Sequence, residues 1–152
     1  MSSILSANRQ VYAKIRTASV SRNMGIIIKK ARNTGDADSG SILVWLGGGG
    51  LYLYVFDNGA YNLLSTTVGI TMNPNVWYEI KAQLFGRTVR AKVWALGTSE
   101  PDWQNTAYIN RMQIRGMEPS GPTTIALRPD NDAVAKDFAD LRITPIRKVG
   151  GP

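Results

Sequence analysis

An all-β antiparallel sandwich or closed barrel is the architecture this sequence predicts, on three observations. Apolar residues alternate with polar ones at a period of two in the best-patterned stretches. Clusters of Gly, Asn, Asp, Ser and Pro recur at roughly the 8–12-residue spacing of such folds. No long segment shows the helical period of about 3.6 residues.

Taken in order, strands are expected at Val11–Thr17, Met24–Ala31, Ser41–Leu46, Leu51–Asp57 and Tyr61–Thr67. Turn-forming clusters separate them at Asn33–Gly40, Gly47–Gly50 and Asp57–Gly59. The clearest element follows Met72–Asn75. There Val76, Tyr78, Ile80, Ala82 and Leu84 share one face, and Trp77, Glu79, Lys81 and Gln83 share the other. After Phe85-Gly86-Arg87, the residues Val89, Ala91 and Val93 alternate with Arg90 and Lys92, which completes an antiparallel hairpin. Tyr108–Gly116 is ambiguous and compatible with a strand. Thr123–Arg128 and Ala135–Ile143 close the set, set off by Glu118–Pro122 and Pro129–Asp132.

The 152 residues suit one domain with one core. No apolar stretch reaches the roughly 18 residues of a membrane-spanning helix, so no membrane association is expected. The N-terminal segment MSSILSANRQ lacks the basic and long apolar regions of a signal peptide. Cysteine and histidine are both absent. That excludes disulfides, thiolate nucleophiles, Cys/His zinc sites and catalysis that needs a histidine base. The net charge of +7 favours polyanions or an acidic protein surface as partners, yet the basic residues are spread along the chain as on solvated strand faces. Nucleic acid is therefore less expected than protein or glycan, because the cations do not converge on exposed aromatics in the sequence.

The stretch Asn75–Gln104 reads NVWYEIKAQLFGRTVRAKVWALGTSEPDWQ. It resembles the central hairpin of the concanavalin-like (laminin-G-like) jelly-roll domains of bacteriophage virion proteins, of minor tail or capsid decoration type. The shared features are Trp77-Tyr78, the Gly86 turn, Lys92-Val93-Trp94, and the loop Gly97…Glu100-Pro101-Asp102-Trp103. Phe138-Ala139-Asp140-Leu141-Arg142-Ile143 resembles the closing strand. The likeness covers residues 9–146 and implies a two-sheet antiparallel jelly roll. Family members usually carry a longer segment before the equivalent of Val11, so a short or partner-covered sheet edge is expected here.

The resemblance implies a non-catalytic structural protein of the virion, assembled in the host cytoplasm. Its expected partners are other virion proteins and copies of itself, with no cofactor. The alternative is a carbohydrate-binding module or lectin-like adhesin. The expected division is an N-terminal arm (1–10), the jelly roll (11–146) and a C-terminal tail (147–152). Ile4, Leu5 and Arg9 in the arm, with Arg147 and Lys148 in the tail, are the candidate partner-binding residues. Trp77, Trp94 and Trp103 are the candidate platform for stacking a sugar ring, against the commoner role of buried aromatics in a sandwich.

Catalytic and metal chemistry find little support. A retaining glycosidase needs two carboxyl groups about 5–5.5 Å apart, and the Glu-x-Asp-x-x-Glu strand pattern that would pair them does not occur: Glu79 and Glu118 have no acidic neighbour two residues away, and Glu100 has only Asp102, across Pro101 in a loop. Asp36–Gly40 and Asp130–Asp132 offer oxygen ligands but lack a complete calcium-loop pattern, so they read as turns and no metal site is expected.

Overall fold

The computed structural model describes residues 8–19, 24–30, 41–57, 60–109, 126–129 and 135–146. These form β1 (Arg9–Thr17), β2 (Met24–Lys30), β3 (Ser41–Gly47), β4 (Gly50–Asp57), β5 (Ala60–Val68), β6 (Tyr78–Phe85), β7 (Thr88–Ala95), β8 (Asn105–Tyr108), β9 (Ala126–Pro129) and β10 (Lys136–Pro145). Two five-stranded sheets result. Sheet A has the order β10-β1-β6-β7-β8 and sheet B the order β5-β4-β3-β2-β9. All pairings are antiparallel. This is the expected jelly-roll sandwich.

The period of two decides which side chains fill the space between the sheets. Val11, Ala13 and Ile15 of β1 point inward, as do Tyr78, Ile80, Ala82 and Leu84 of β6 and Val89, Ala91 and Val93 of β7. From sheet B they meet Ile26 and Ile28, then Ile42, Val44 and Leu46, then Leu51, Leu53 and Val55. Full burial of a Val, Leu or Ile side chain among them contributes about 1.5–3 kcal/mol. The sheets are also joined by polar bonds near β8. The buried Asn105 amide donates to the Leu51 carbonyl at 2.7 Å, and the Thr67 hydroxyl donates to the Gln104 carbonyl at 2.6 Å.

Three expectations change. Val76 lies before β6 and is 38% exposed, because the strand begins only at Tyr78. Arg9 and Gln10, assigned to the arm, open β1, where Arg9 pairs with Leu84 on one side and Pro145 on the other. Finally, β1 is not a bare edge. The closing strand β10 pairs along it and takes the outermost place in sheet A. The strand β8 was not anticipated. Of the ambiguous stretch Tyr108–Gly116, Tyr108 ends β8 and residues 110–116 lie outside the described residues. So do both oxygen-rich clusters, Asp36–Gly40 and Asp130–Asp132.

Candidate functional site

The outer face of sheet A is a polar grid. Register places Arg142, Tyr12, Lys81 and Lys92 in one row across β10, β1, β6 and β7. The neighbouring row carries Thr144, Gln10, Gln83 and Arg90. Hydrogen bonds run along the rows and between them. Arg90 Nε donates to Gln83 Oε1 (2.8 Å), Gln83 Nε2 to Gln10 Oε1 (2.7 Å), and the Tyr12 hydroxyl to Glu79 Oε1 (2.7 Å). Glu100 receives both Lys81 (2.5 Å) and Lys92 (2.8 Å). Hydrogen bonds from these two ammonium groups hold its carboxyl below the ordinary glutamate range.

The three tryptophans named as a candidate sugar platform all sit on this side, and each has a cation against its ring. Arg16 lies 4.7 Å from the Trp77 centroid. Arg90 and Lys92 lie 4.3 and 4.5 Å from that of Trp103. Lys81 and Lys92 lie 5.7 and 5.9 Å from that of Trp94, which is itself only 8% exposed. Such contacts hold the cations and rings together. The rings are thus engaged within the fold, and Lys92, expected to face water, is buried among them with its ammonium also donating to the Pro101 carbonyl. Of the expected partner-binding residues, Arg9 is half-buried in β1, and burial lowers its pKa. Ile4, Leu5, Arg147 and Lys148 lie outside the described residues.

Sheet B differs on its outer side. There β4 alternates aliphatic Leu51, Leu53 and Val55, turned into the core, with aromatic Tyr52, Tyr54 and Phe56, turned out. Across the sheet, Tyr52 stands between Thr66 and Trp45, with Gly25 beyond. Tyr54 stands between Leu63 and Leu43, with Ile27 beyond, and Phe56 is paired with Tyr61. The rings touch in sequence. Tyr52 stacks on Tyr54 (centroids 6.1 Å, 23°), Tyr54 meets Tyr61 edge-on (6.0 Å), and Phe56 lies 4.4 Å from Tyr61. Leu43, Ile27 and Phe56 are buried beneath, while Trp45, Tyr52 and Tyr54 keep partial exposure and Tyr61 is 50% exposed.

Glycines make room for two of these rings. A Cβ on Gly25 would lie 3.0 Å from Trp45 Cε3, and one on Gly50 would lie 2.7 Å from Tyr52 Cζ. The result is a broad aromatic surface with hydroxyl groups set into it. That combination binds molecules that are apolar on one side and polar at their edges. Sequence reading concentrated on tryptophans and missed it, although Leu51-Tyr-Leu-Tyr-Val-Phe56 shows a strand without a polar face.

A pocket of about 240 Å³ opens on sheet A between Tyr12, Glu79, Lys81, Trp94, Glu100 and Arg142. It brings together two carboxylates that are 21 positions apart, Glu79 and Glu100. Glu100 is committed to its two lysines, and Glu79 to the Tyr12 hydroxyl. Among the described residues no three potential metal ligands converge.

No protein-family model and no curated protein sequence matches the chain. Solved structures do. A carbohydrate-binding module from Bacillus subtilis superposes with a TM-score of 0.65 at 13% identity, over 90% of this chain and 74% of that one. Sheep galectin-11 gives 0.57 at 10% identity, over 91% and 90%. A family 7 alginate lyase gives 0.51 at 11% identity, over 91% of this chain and 61% of the lyase. At such identities the likeness establishes the fold, a jelly roll shared by binding modules, galectins and lyases. The virion role implied by the hairpin finds no counterpart in these proteins.

Proposed function

We propose that this chain is a non-catalytic carbohydrate-binding domain, and that the aromatic outer face of sheet B receives the sugar. The observation that carries the reading is the contiguous set Trp45, Tyr52, Tyr54 and Tyr61, seated over glycines and a small apolar layer. A pyranose ring presents C–H groups on its faces and hydroxyls around its rim. The faces match indole and phenol rings, and the rim matches tyrosine hydroxyls. An ordinary solvated strand face would instead alternate charges, as sheet A does.

The fold likeness to a carbohydrate-binding module and a galectin supports the same direction. The lyase likeness is no argument for cleavage. The chain has no histidine, and Glu100, one of the two carboxylates in the sheet A pocket, is bound by two lysines. A glycan-binding domain on a particle surface would combine this reading with a virion role, which rests on the sequence resemblance over residues 9–146 alone.

The test is affinity electrophoresis of the purified chain through gels containing a panel of neutral polysaccharides, with Trp45→Ala and Tyr52→Ala beside it. Retardation by at least one glycan, lost in both variants while their melting temperatures stay close to the parent's, is expected. No retardation by any glycan, or equal retardation of the variants, would refute the reading.

A further inference from the structure

We propose a second, separate binding site: the pocket on the outer face of sheet A takes the carboxylate of an acidic saccharide, with Arg142 as the residue that reads it. The argument starts from which charges in the pocket are already committed. Glu79 accepts the Tyr12 hydroxyl, and Glu100 is shared by Lys81 and Lys92. Asp140, the carboxylate two residues before Arg142, is bound to Lys14 at 2.6 Å. Arg142 lies over the Tyr12 ring, 4.7 Å from its centroid, and among the described residues no carboxylate is within ion-pair distance of its guanidinium, although its charge is felt by Asp140. A guanidinium held by one face on an aromatic ring keeps its N–H edge for a planar, bidentate acceptor.

The remaining wall suits the rest of a sugar. Gln10 gives its carbonyl to Gln83, which leaves its NH₂ to donate, and Thr144 supplies a hydroxyl beside it. Glu79 can accept from a sugar hydroxyl, and Trp94 closes one side. Two cations (Lys81, Arg142) face two carboxylates (Glu79, Glu100) in the lining, and the buried Lys92, bound to Glu100, adds a positive charge behind them. At about 240 Å³ the pocket is smaller than the ~300 Å³ at which sites for drug-sized ligands begin, which fits one ring or one acidic substituent.

This site lies on the opposite sheet from the aromatic face, so the two assignments fail independently. The experiment is calorimetric titration of the intact chain with a trigalacturonate, a neutral trisaccharide, a sulfated neutral trisaccharide and a short single-stranded DNA. Parent, Arg142→Gln, Arg142→Lys and Tyr52→Ala chains are compared. Trigalacturonate binding by the parent, weakened tenfold or more in both Arg142 variants and by added salt, is expected. The arginine is on an exposed edge strand, so melting temperatures should not move, and Tyr52→Ala should leave this binding in place. Unchanged affinity in Arg142→Gln, absence of uronate binding, or equally tight Arg142-dependent binding of the sulfated sugar or the DNA would overturn the proposal. Uronate binding that survives while every neutral glycan fails would instead count against the aromatic face alone.

Discussion

Gly25 of β2 stands directly opposite Trp45 of β3, and the indole occupies the space that a Cβ at Gly25 would fill. The same Cβ would come within 2.5 Å of the Val44 carbonyl oxygen, which is backbone and cannot swing aside. Gly25→Ala should therefore cost about 1–3 kcal/mol, the range for overpacking a close-packed site. It should also displace the indole and weaken glycan retention. Chemical denaturation monitored by tryptophan fluorescence checks the first effect, and gel retardation the second. A variant as stable as the parent would mean that the β2–β3 pairing has slack the structure does not show.

The hairpin gives a prediction about register. Ile80 is fully buried and paired with Val93 across β6 and β7. Removing three of its carbons leaves a cavity between the sheets, so Ile80→Ala should destabilise by about 2–5 kcal/mol in urea unfolding. Lys81→Ala, one residue on, should cost far less, because its side chain faces outward and its ion pair is partly exposed. Similar losses for the two would contradict the observed register, since a shift of one residue exchanges the faces.

What could be read from the sequence followed from where the period of two was clean. Around Ile80 the alternation of apolar and charged residues fixes both strand and facing, and structure and sequence agree from Tyr78 to Val93. Lys92 is the exception. Its burial depends on Trp103, Glu100 and Pro101, which return from a loop that no periodicity describes. The aromatic face was hidden for a related reason. In β4 both sides of the strand are non-polar, so patterning identifies a strand without saying which side meets the core. That choice is made by Leu53 meeting Val44 and Tyr54 meeting Leu43 across the ladder, a tertiary fact. β8 has four residues, too few for a period to show.

Acid should act partly through Glu100. Its pKa lies below the ordinary 4.5, from hydrogen bonds to Lys81 and Lys92. A depressed carboxylate contributes stability above its unfolded pKa and loses it as pH falls through the folded one. The gap in melting temperature between the parent and Glu100→Gln should thus be open at neutral pH and close as the pH drops below 4.5. The gap should be small, because the carboxylate is 41% exposed and solvent screens such pairs. A gap independent of pH would show that the carboxylate's charge does not matter.

Alkali should act through Tyr12, whose hydroxyl donates to Glu79 at 2.7 Å. Burial is the main cause that raises its pKa from 10.0 to about 12, followed by the hydrogen bond to Glu79 and that residue's charge, while Arg142 opposes them. The neutral phenol is the form the fold favours. Its contribution is therefore complete below pH 10 and disappears as the pH rises through about 12. Spectrophotometric titration of the parent minus Tyr12→Phe should resolve one tyrosine ionising late. Glu79→Gln removes the anionic acceptor but not the burial, so the midpoint should fall yet stay above 10.0. Arg142→Gln should move it the other way, because a cation stabilising the phenolate is lost. Opposite shifts from the two variants would place Tyr12 between Glu79 and Arg142 in solution. A midpoint near 10.0 in the parent would mean that the Tyr12–Glu79 bond is not maintained there.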